Sequence, residues 1–338
     1  MQILNIILKM ENIIKLEESI KREKNKAKKY NLIKILLGEY YNIYRKTKNT
    51  KFLDKIIQLS EEIDRRDINV LNILGLAYLE KKEFDIAIKI FNEILNEHNI
   101  AREDRNTILY NVAIAYFNKG ELATAYDILK EISLNSNGDL NILSKRLLAK
   151  TCLKLGDVKH IEEAKKILES FDTPTEELAI AYAALAKYYG SKELLEKAKN
   201  IANIIGNKRV MADVLSVSND ENDLKEAYKL YLELNDNIGQ IRVLYKLSYN
   251  NPSLFSEIID RLQLLDDSKD KLSILYDLYI RTKIIQFLKE AIKVAEKLND
   301  VLFIARAYAE LAKYENEVEN LRKAISFYEK YVELQNKK

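Results

Sequence analysis

The chain has 338 residues, of which 47% are hydrophobic and 32% are charged, and its formal net charge is +3. It contains 2 prolines and 8 glycines, well below the average usage of about 5% and 7%. This scarcity of turn residues disfavours a β-rich fold, and the near balance of charge disfavours a protein that coats nucleic acid with its whole surface.

One cysteine and the hydropathy pattern predict the compartment. Cys152 is the single cysteine, so no disulfide can form within the chain, which fits a reducing environment. The first ten residues, MQILNIILKM, are apolar but lack the basic region and the cleavage site of a signal peptide. No stretch approaches the roughly 18 apolar residues of a membrane span. We therefore expect a cytoplasmic protein without a membrane span.

Residues 1–30 are predicted to form a capping segment, with one amphipathic helix over residues 2–30. Its apolar residues recur at helical spacing. They are Ile3, Ile6, Ile7, Met10, Ile13 and Ile14. Such a helix would cover the apolar face of the first repeat, because the terminal units of a repeat protein need a cover. The segment ends in a basic run, KREKNKAKK, at residues 21–29.

The clearest repeat unit spans residues 69–96, with the sequence NVLNILGLAYLEKKEFDIAIKIFNEILN. Apolar residues recur at steps of three and four in two blocks, which predicts two helices. A polar break at residues 80–83 separates the blocks. The unit is therefore predicted to be a helix hairpin.

The same pattern recurs along residues 31–338 and predicts about nine hairpins, of which three carry three extra residues in the turn between their helices and one is degenerate. Each unit has a residue pair in its first helix that corresponds to Leu74–Gly75. These pairs are Leu37–Gly38, Val112–Ala113, Leu148–Ala149, Leu185–Ala186, Val214–Leu215, Leu244–Tyr245, Leu275–Tyr276 and Leu311–Ala312. The units become more degenerate after about residue 205.

This pattern resembles the tetratricopeptide repeat (TPR) family. Leu74, Gly75, Tyr78, Ala87 and Phe91 stand at the spacing of the TPR signature. The resemblance implies an all-α fold, a right-handed superhelical solenoid of antiparallel helix hairpins whose small residues let the helices approach closely. The chain departs from the family pattern because it has no Trp and mostly lacks the proline that ends the family's unit.

The two prolines are expected to open new helices. Thr173-Pro174 and Asn251-Pro252 each place a capping residue before a proline. A proline at the first helical position costs the helix no hydrogen bond, because a backbone N–H at that position would have no partner within the helix.

The sequence contains no pattern typical of catalysis, metal binding or cofactor binding. His98 and His160 have no second Cys or His at ligand spacing. Cys152 stands where Tyr stands in several other units, so we expect it to be a core residue. The glycines are scattered singly, which excludes a phosphate-binding loop. We therefore predict a protein that is not an enzyme and that uses no cofactor and no metal.

The TPR resemblance implies that the first helices line a concave groove that holds a peptide or helix of another protein. The candidate groove residues are Leu76, Tyr110, Asn111, Ile114, Phe117, Arg146, Lys150, Lys187, Arg242 and Lys246. The first five are apolar, aromatic or amide side chains, and the last five are basic. This order predicts a partner with an acidic segment beside hydrophobic anchors. Alternatively, the basic side chains pair with acids of the same chain and stay solvated.

A second functional hypothesis is a helical-repeat protein associated with nucleic acid. It depends on the basic run at residues 21–29, which could contact phosphates. The run contains no interleaved aromatic residue of the kind on which bases stack. A protein-interaction scaffold is therefore the preferred prediction.

Overall fold

The computed structural model describes residues 2–61, 67–96, 100–171, 173–251 and 253–336; for residues 2–8 and 336 the backbone alone is described. These ranges contain nineteen α-helices and no β-strand. The chain divides into two compact units, Met1–Ile205 and Gly206–Lys338, and each is described by itself.

The first unit contains eleven helices in its described ranges. They are α1 (Gln2–Arg22), α2 (Lys26–Thr47), α3 (Lys51–Ser60), α4 (Ile68–Glu80), α5 (Phe84–Leu95), α6 (Arg102–Lys119), α7 (Leu122–Asn135), α8 (Gly138–Leu155), α9 (Val158–Glu169), α10 (Glu176–Tyr189) and α11 (Lys192–Ile205). Each helix packs on the next, and α2, α4, α6, α8 and α10 also pack on one another in turn. The unit is thus α1 followed by five stacked hairpins, whose first helices form one layer.

The second unit contains eight helices in its described ranges. They are α12 (Lys208–Val217), α13 (Glu221–Glu233), α14 (Asn237–Leu247), α15 (Leu254–Gln263), α16 (Lys269–Thr282), α17 (Ile285–Lys297), α18 (Val301–Leu311) and α19 (Glu317–Asn336). They pair as four hairpins, α12 with α13 through α18 with α19. The described ranges therefore hold nine hairpins, which confirms the all-α hairpin-repeat fold. The right-handed superhelical path stays a prediction.

Small residues set the closest approach of two helices. Gly75 of α4 lies against the fully buried ring of Phe91 in α5. A Cβ atom on Gly75 would lie 2.5 Å from Cε1 of Phe91, well inside the normal separation of two carbon atoms of about 3.5–4.0 Å. The ring of Phe91 also belongs to a buried cluster with Ile108 and Val112 of α6, the first helix of the next hairpin.

Tyrosine hydroxyl groups link successive hairpins by donating hydrogen bonds to carboxylates. These bonds join Tyr44 to Glu80 (2.8 Å), Tyr126 to Glu163 (2.7 Å), Tyr228 to Glu257 (2.5 Å) and Tyr279 to Glu310 (2.7 Å). Burial and the adjacent carboxylate raise the pKa of Tyr44 and of Tyr228 to about 12. Both hydroxyl groups therefore keep their proton and act as donors at neutral pH.

The N-terminal segment differs from the single helix predicted over residues 2–30. The structure interrupts it at residues 23–25. Asn25 has an extended backbone, and its Oδ1 accepts hydrogen bonds from the backbone N–H groups of Ala27 (3.0 Å) and Lys28 (3.1 Å). This N-cap starts α2 as a separate helix. Apolar periodicity did not reveal the break because the same spacing continues on both sides of it.

α1 packs on α2. Ile13 and Ile20 of α1 are buried in one cluster with Ile33, Leu36 and Leu37 of α2. α1 therefore covers the apolar side of the first hairpin. Whether residues 1–30 form a segment distinct from residues 31–338 stays a prediction.

The prediction of a Thr173 cap for the next helix is wrong. α10 is capped two residues later by Thr175, whose hydroxyl accepts a hydrogen bond from the N–H of Leu178 at 3.2 Å. Two threonines flank Pro174, and the second of them is the one that precedes the helix. Pro252 lies outside the described residues.

The close contact at Gly75 generates a test with an internal control. Gly75→Ala should lower the free energy of unfolding by roughly 1 kcal/mol, because overpacking of about 1–3 kcal/mol exceeds the helix-propensity gain of about 1 kcal/mol. Gly38 occupies the equivalent position in α2, and a Cβ atom there would meet no atom within 4 Å. Gly38→Ala should therefore raise it by roughly 0.5–1 kcal/mol. Chemical denaturation of both variants measures the difference, and equal effects would contradict the packing described.

Candidate functional site

The apolar part of the predicted site lies on α4 and α6. Leu76, Tyr110 and Ile114 are half-buried, so each keeps part of its surface open to solvent. Asn111 is 8% exposed, and its Nδ2 donates a hydrogen bond to Oδ1 of Asn72 at 3.1 Å. This bond joins two neighbouring first helices. We call the predicted residues of α4, α6, α8 and α10 the first-helix face of the first unit. They are Leu76, Tyr110, Asn111, Ile114, Phe117, Arg146, Lys150 and Lys187.

A second contact continues the first-helix face from α6 to α8. The ring of Phe117 is half-buried, and Nζ of Lys154 lies 4.1 Å from its centroid. Cation–π contacts of this kind contribute about 0.5–1 kcal/mol at exposed sites. Lys154 was not among the residues predicted from the sequence, although its position one helical turn after Lys150 was a usable signal.

A third contact joins α8 to α10 through the basic part of the site. Nζ of Lys150 lies 3.0 Å from Oε1 of Glu177, and the Lys150 side chain is 51% exposed. An ion pair this exposed stabilises the chain by at most about 1 kcal/mol. Arg146, one turn earlier on α8, stacks its guanidinium 5.4 Å from the ring centroid of Phe171.

Lys187 is the exposed basic residue of α10 in this set. Within the described residues, its side chain forms no ion pair and no hydrogen bond. Three predicted residues of the first unit, Asn111, Phe117 and Lys150, thus make the contacts between successive first helices. The other predicted residues of this unit lie on the same helices, and their role in binding stays a prediction. The alternative hypothesis is that the basic side chains pair with acids of the same chain. Lys150 makes such a pair, and Lys187 makes none among the described residues.

The two remaining candidates, Arg242 and Lys246, belong to the second unit. Arg242 is exposed and has no ion pair among the residues that the structure describes. Lys246 is half-buried, and its ammonium donates to the backbone carbonyls of Ser216 (2.6 Å), Val217 (3.0 Å) and Ser218 (3.2 Å). These carbonyls end α12, where the helix dipole is negative. Lys246 thus joins α14 to α12, a role that differs from the predicted contact with a partner.

The groups that could support catalysis are placed as structural side chains. Cys152 is fully buried in α8, and burial raises the pKa of its thiol to about 12, so it stays protonated. His160 contacts the carboxylate of Asp157 and packs edge-on to Tyr126 at 4.9 Å between ring centroids. His98 lies outside the described residues. Within the described ranges, no cluster of His, Cys, Asp or Glu could hold a metal ion, and no helix is both long and apolar enough to cross a membrane.

Comparisons with known proteins give structural similarity alone. No family model matches the chain, and no curated protein matches it. The chain is similar to the crystal structure of a Podosopora anserina putative kinesin light chain with nearly identical TPR-like repeats, at 15% identity, over 54% of this chain and 99% of that one, with a TM-score of 0.40. It is similar to the apo form of RapI at 14% identity, over 90% and 98%, with a TM-score of 0.48. It is also similar to a Rap protein complexed with competence and sporulation factor at 13% identity, over 98% of each chain, with a TM-score of 0.41.

The fold of the described residues defines a class of protein. Successive helix hairpins, close crossings such as that of Gly75 with Phe91, and the layer of first helices in the first unit give this chain the fold of a helix-hairpin repeat protein. In such a protein each hairpin depends mainly on its neighbours for stability.

The contacts of Lys246 generate a stability test in the second unit. Lys246→Met keeps the apolar stem but removes three charged hydrogen bonds, so the free energy of unfolding should fall by roughly 1–3 kcal/mol. Arg242→Met, one turn earlier on the same helix, should change it by less than about 0.5 kcal/mol. Urea denaturation of the full chain measures both effects. A loss no larger for Lys246→Met than for Arg242→Met would show that the carbonyl contacts do not form.

Proposed function

We propose that the chain is a non-enzymatic protein-interaction scaffold and that the first-helix face of the first unit binds a peptide or helix of another protein. The observation that carries the proposal is the run of contacts from α4 to α10, which puts half-buried apolar side chains next to exposed basic ones. Half-buried apolar side chains suit anchor residues of a partner, because they are held in place yet keep surface to bury.

The charges on this face favour an acidic partner segment. Lys187 is exposed with no acid paired to it in the described residues, and Arg146 contacts the face of an aromatic ring and no carboxylate there. Lys150 can exchange Glu177 for an acid of the partner at little cost, because exposed ion pairs are weak. Three basic groups on two adjacent helices would also speed the approach of an acidic segment.

A small open cleft beside Ile114 offers a place for an apolar side chain. It lies between the end of α4, the start of α5 and α6. Its lining residues are Leu79, Glu80, Lys82, Phe84, Ile114 and Asn118. Three of these six residues, Leu79, Phe84 and Ile114, are apolar and line the cleft together with polar and charged side chains. We propose that one hydrophobic anchor of the partner inserts here while acidic residues lie toward α8 and α10.

Peptide selection tests this function while the natural partner is still unidentified. A random peptide display library is selected against the full chain, and the best peptide is titrated by fluorescence anisotropy at low salt. We expect enriched peptides to combine apolar and acidic residues. Arg146→Glu combined with Lys187→Glu should weaken binding at least about tenfold, or about 1.4 kcal/mol.

The matched control is Lys166→Glu, which reverses an exposed charge on the second helix α9. It should leave the affinity unchanged. The proposal fails if the enriched peptides carry no acidic residues, or if the control weakens binding as much as the double variant does.

A second candidate function is contact with nucleic acid through the basic run at residues 21–29. One observation favours it: in the described residues, none of the five lysines of the run forms an ion pair, and Arg22 pairs only with Glu18 of its own helix, at 3.4 Å. All but Lys29 among these basic residues are exposed. In the same titration, a labelled oligonucleotide that binds the wild type but not a Lys24→Gln, Lys26→Gln, Lys28→Gln variant would favour this alternative.

A further inference from the structure

The last helix, α19, has two apolar faces, and one of them packs on α18. Asn320 and Ala324 are 4% and 2% exposed, and the ring of Phe327 stacks on that of Tyr308 in α18 at 6.1 Å between centroids. Asn320 Nδ2 also donates to the backbone carbonyl of Glu315 at 2.7 Å. This first face completes the last hairpin.

The second face of α19 is an apolar strip that lies open to solvent. Its five residues follow one another at steps of three, four, three and four, which places them in one line along the helix. They are Val318 (64% exposed), Leu321 (40%), Ile325 (57%), Tyr328 (39%) and Val332 (55%). We call them the α19 strip.

We propose that the α19 strip is the interface of a homodimer in which the α19 helices of two copies of this chain pair in parallel. The spacing is that of the a and d positions of a coiled coil, with Val318, Ile325 and Val332 at a, and Leu321 and Tyr328 at d. β-Branched residues at a with leucine at d favour two parallel strands. A strip with β-branched residues at a and leucine at d is therefore complementary to a second copy of itself.

The charges beside the strip are complementary in the same arrangement. Glu317 precedes the first a position and Arg322 follows the first d position, so a parallel pair sets Glu317 of one copy opposite Arg322 of the other. Both side chains are exposed and have no ion pair among the described residues. By contrast, Glu319 and Lys323 already pair with each other at 2.7 Å, and Nζ of Lys323 lies 5.4 Å from the ring centroid of Tyr308 in α18.

The position of α18 also favours the parallel arrangement. Ala324 lies beside the strip on the g side, where the helix is buried against α18. In a parallel pair the g side of one helix faces the e side of the other, so the two α18 helices lie on opposite sides of the pair. An antiparallel pair would bring both α18 helices to the same side, where they compete for space.

The size of the strip predicts a weak dimer. Five side chains per copy bury less than the roughly 1,200 Å² at which stable specific interfaces begin. We therefore expect dissociation in the micromolar range, so that monomer and dimer coexist in solution.

Sedimentation equilibrium of the full chain over low to high micromolar concentrations tests the proposal. We expect a reversible monomer–dimer equilibrium that Ile325→Asp weakens at least about tenfold. Because Ile325 is exposed, the variant should keep the helix content and melting temperature of the wild type. Leu134→Asp is the matched control, since Leu134 is 79% exposed on α7, and it should leave the equilibrium unchanged.

A charge exchange tests whether a second copy of the chain covers the α19 strip and whether the two α19 helices pair in parallel. Arg322→Glu should weaken the dimer a few-fold, and Glu317→Arg in the same chain should restore it. Restoration by Glu329→Arg in place of Glu317→Arg would overturn the parallel register. A wild type that stays monomeric at every concentration would overturn the proposal and leave the strip to a different protein or to a further segment of a longer chain.

Discussion

The crossing of the two helices within each hairpin is the contact on which the rest of the structure depends. Seven of the nine second helices in the described ranges bury an alanine at the same point of this crossing, each 2% exposed or less. These residues are Ala87, Ala125, Ala164, Ala198, Ala227, Ala291 and Ala324. A methyl side chain lets the backbones approach closely, and the larger neighbours then fill the space on either side.

This constraint explains why the repeat could be predicted from the sequence while some of its boundaries could not. The alanines follow the second residue of the first-helix pairs at a spacing of 12 residues in five units and 15 in the other two, and the first residue of each pair falls on the helix expected of it. The start of α2 at Lys26 depends instead on a single Asn25 side chain bonding to two backbone N–H groups. Such a cap depends on one polar residue, so the spacing of the apolar residues does not predict it.

In the candidate site, too, some residues could be placed from the sequence and others could not. Ile114 and Phe117 could be placed from helical spacing, because a half-buried position on a first helix follows from the repeat register. The role of Lys246 could not be predicted, because its partners are three backbone carbonyls at the end of α12. Backbone groups have no sequence signature, and the fold alone determines which side chain reaches them.

The proposed binding face and the core use different positions of the same helices. The hairpin crossing requires small or fitted residues on the inner side of each helix, whereas the outer positions of the first helices are free to be Leu76, Ile114, Lys150 or Lys187. In a helical-repeat fold these outer positions can differ without a change in the hairpin packing. The proposed site and the α19 strip are both sets of positions that the hairpin packing leaves open.

Hydrogen exchange of the Ala87→Phe variant, measured by mass spectrometry, tests most directly whether each hairpin is held together by the crossing of its two helices. Ala87 is fully buried, so a phenylalanine there must separate α4 from α5. We expect faster exchange in α4, α5 and α6 and unchanged exchange in α16 to α19, because each repeat contacts mainly its neighbours. Unchanged exchange in α4, α5 and α6, or an equal loss of protection along the whole chain, would contradict this account.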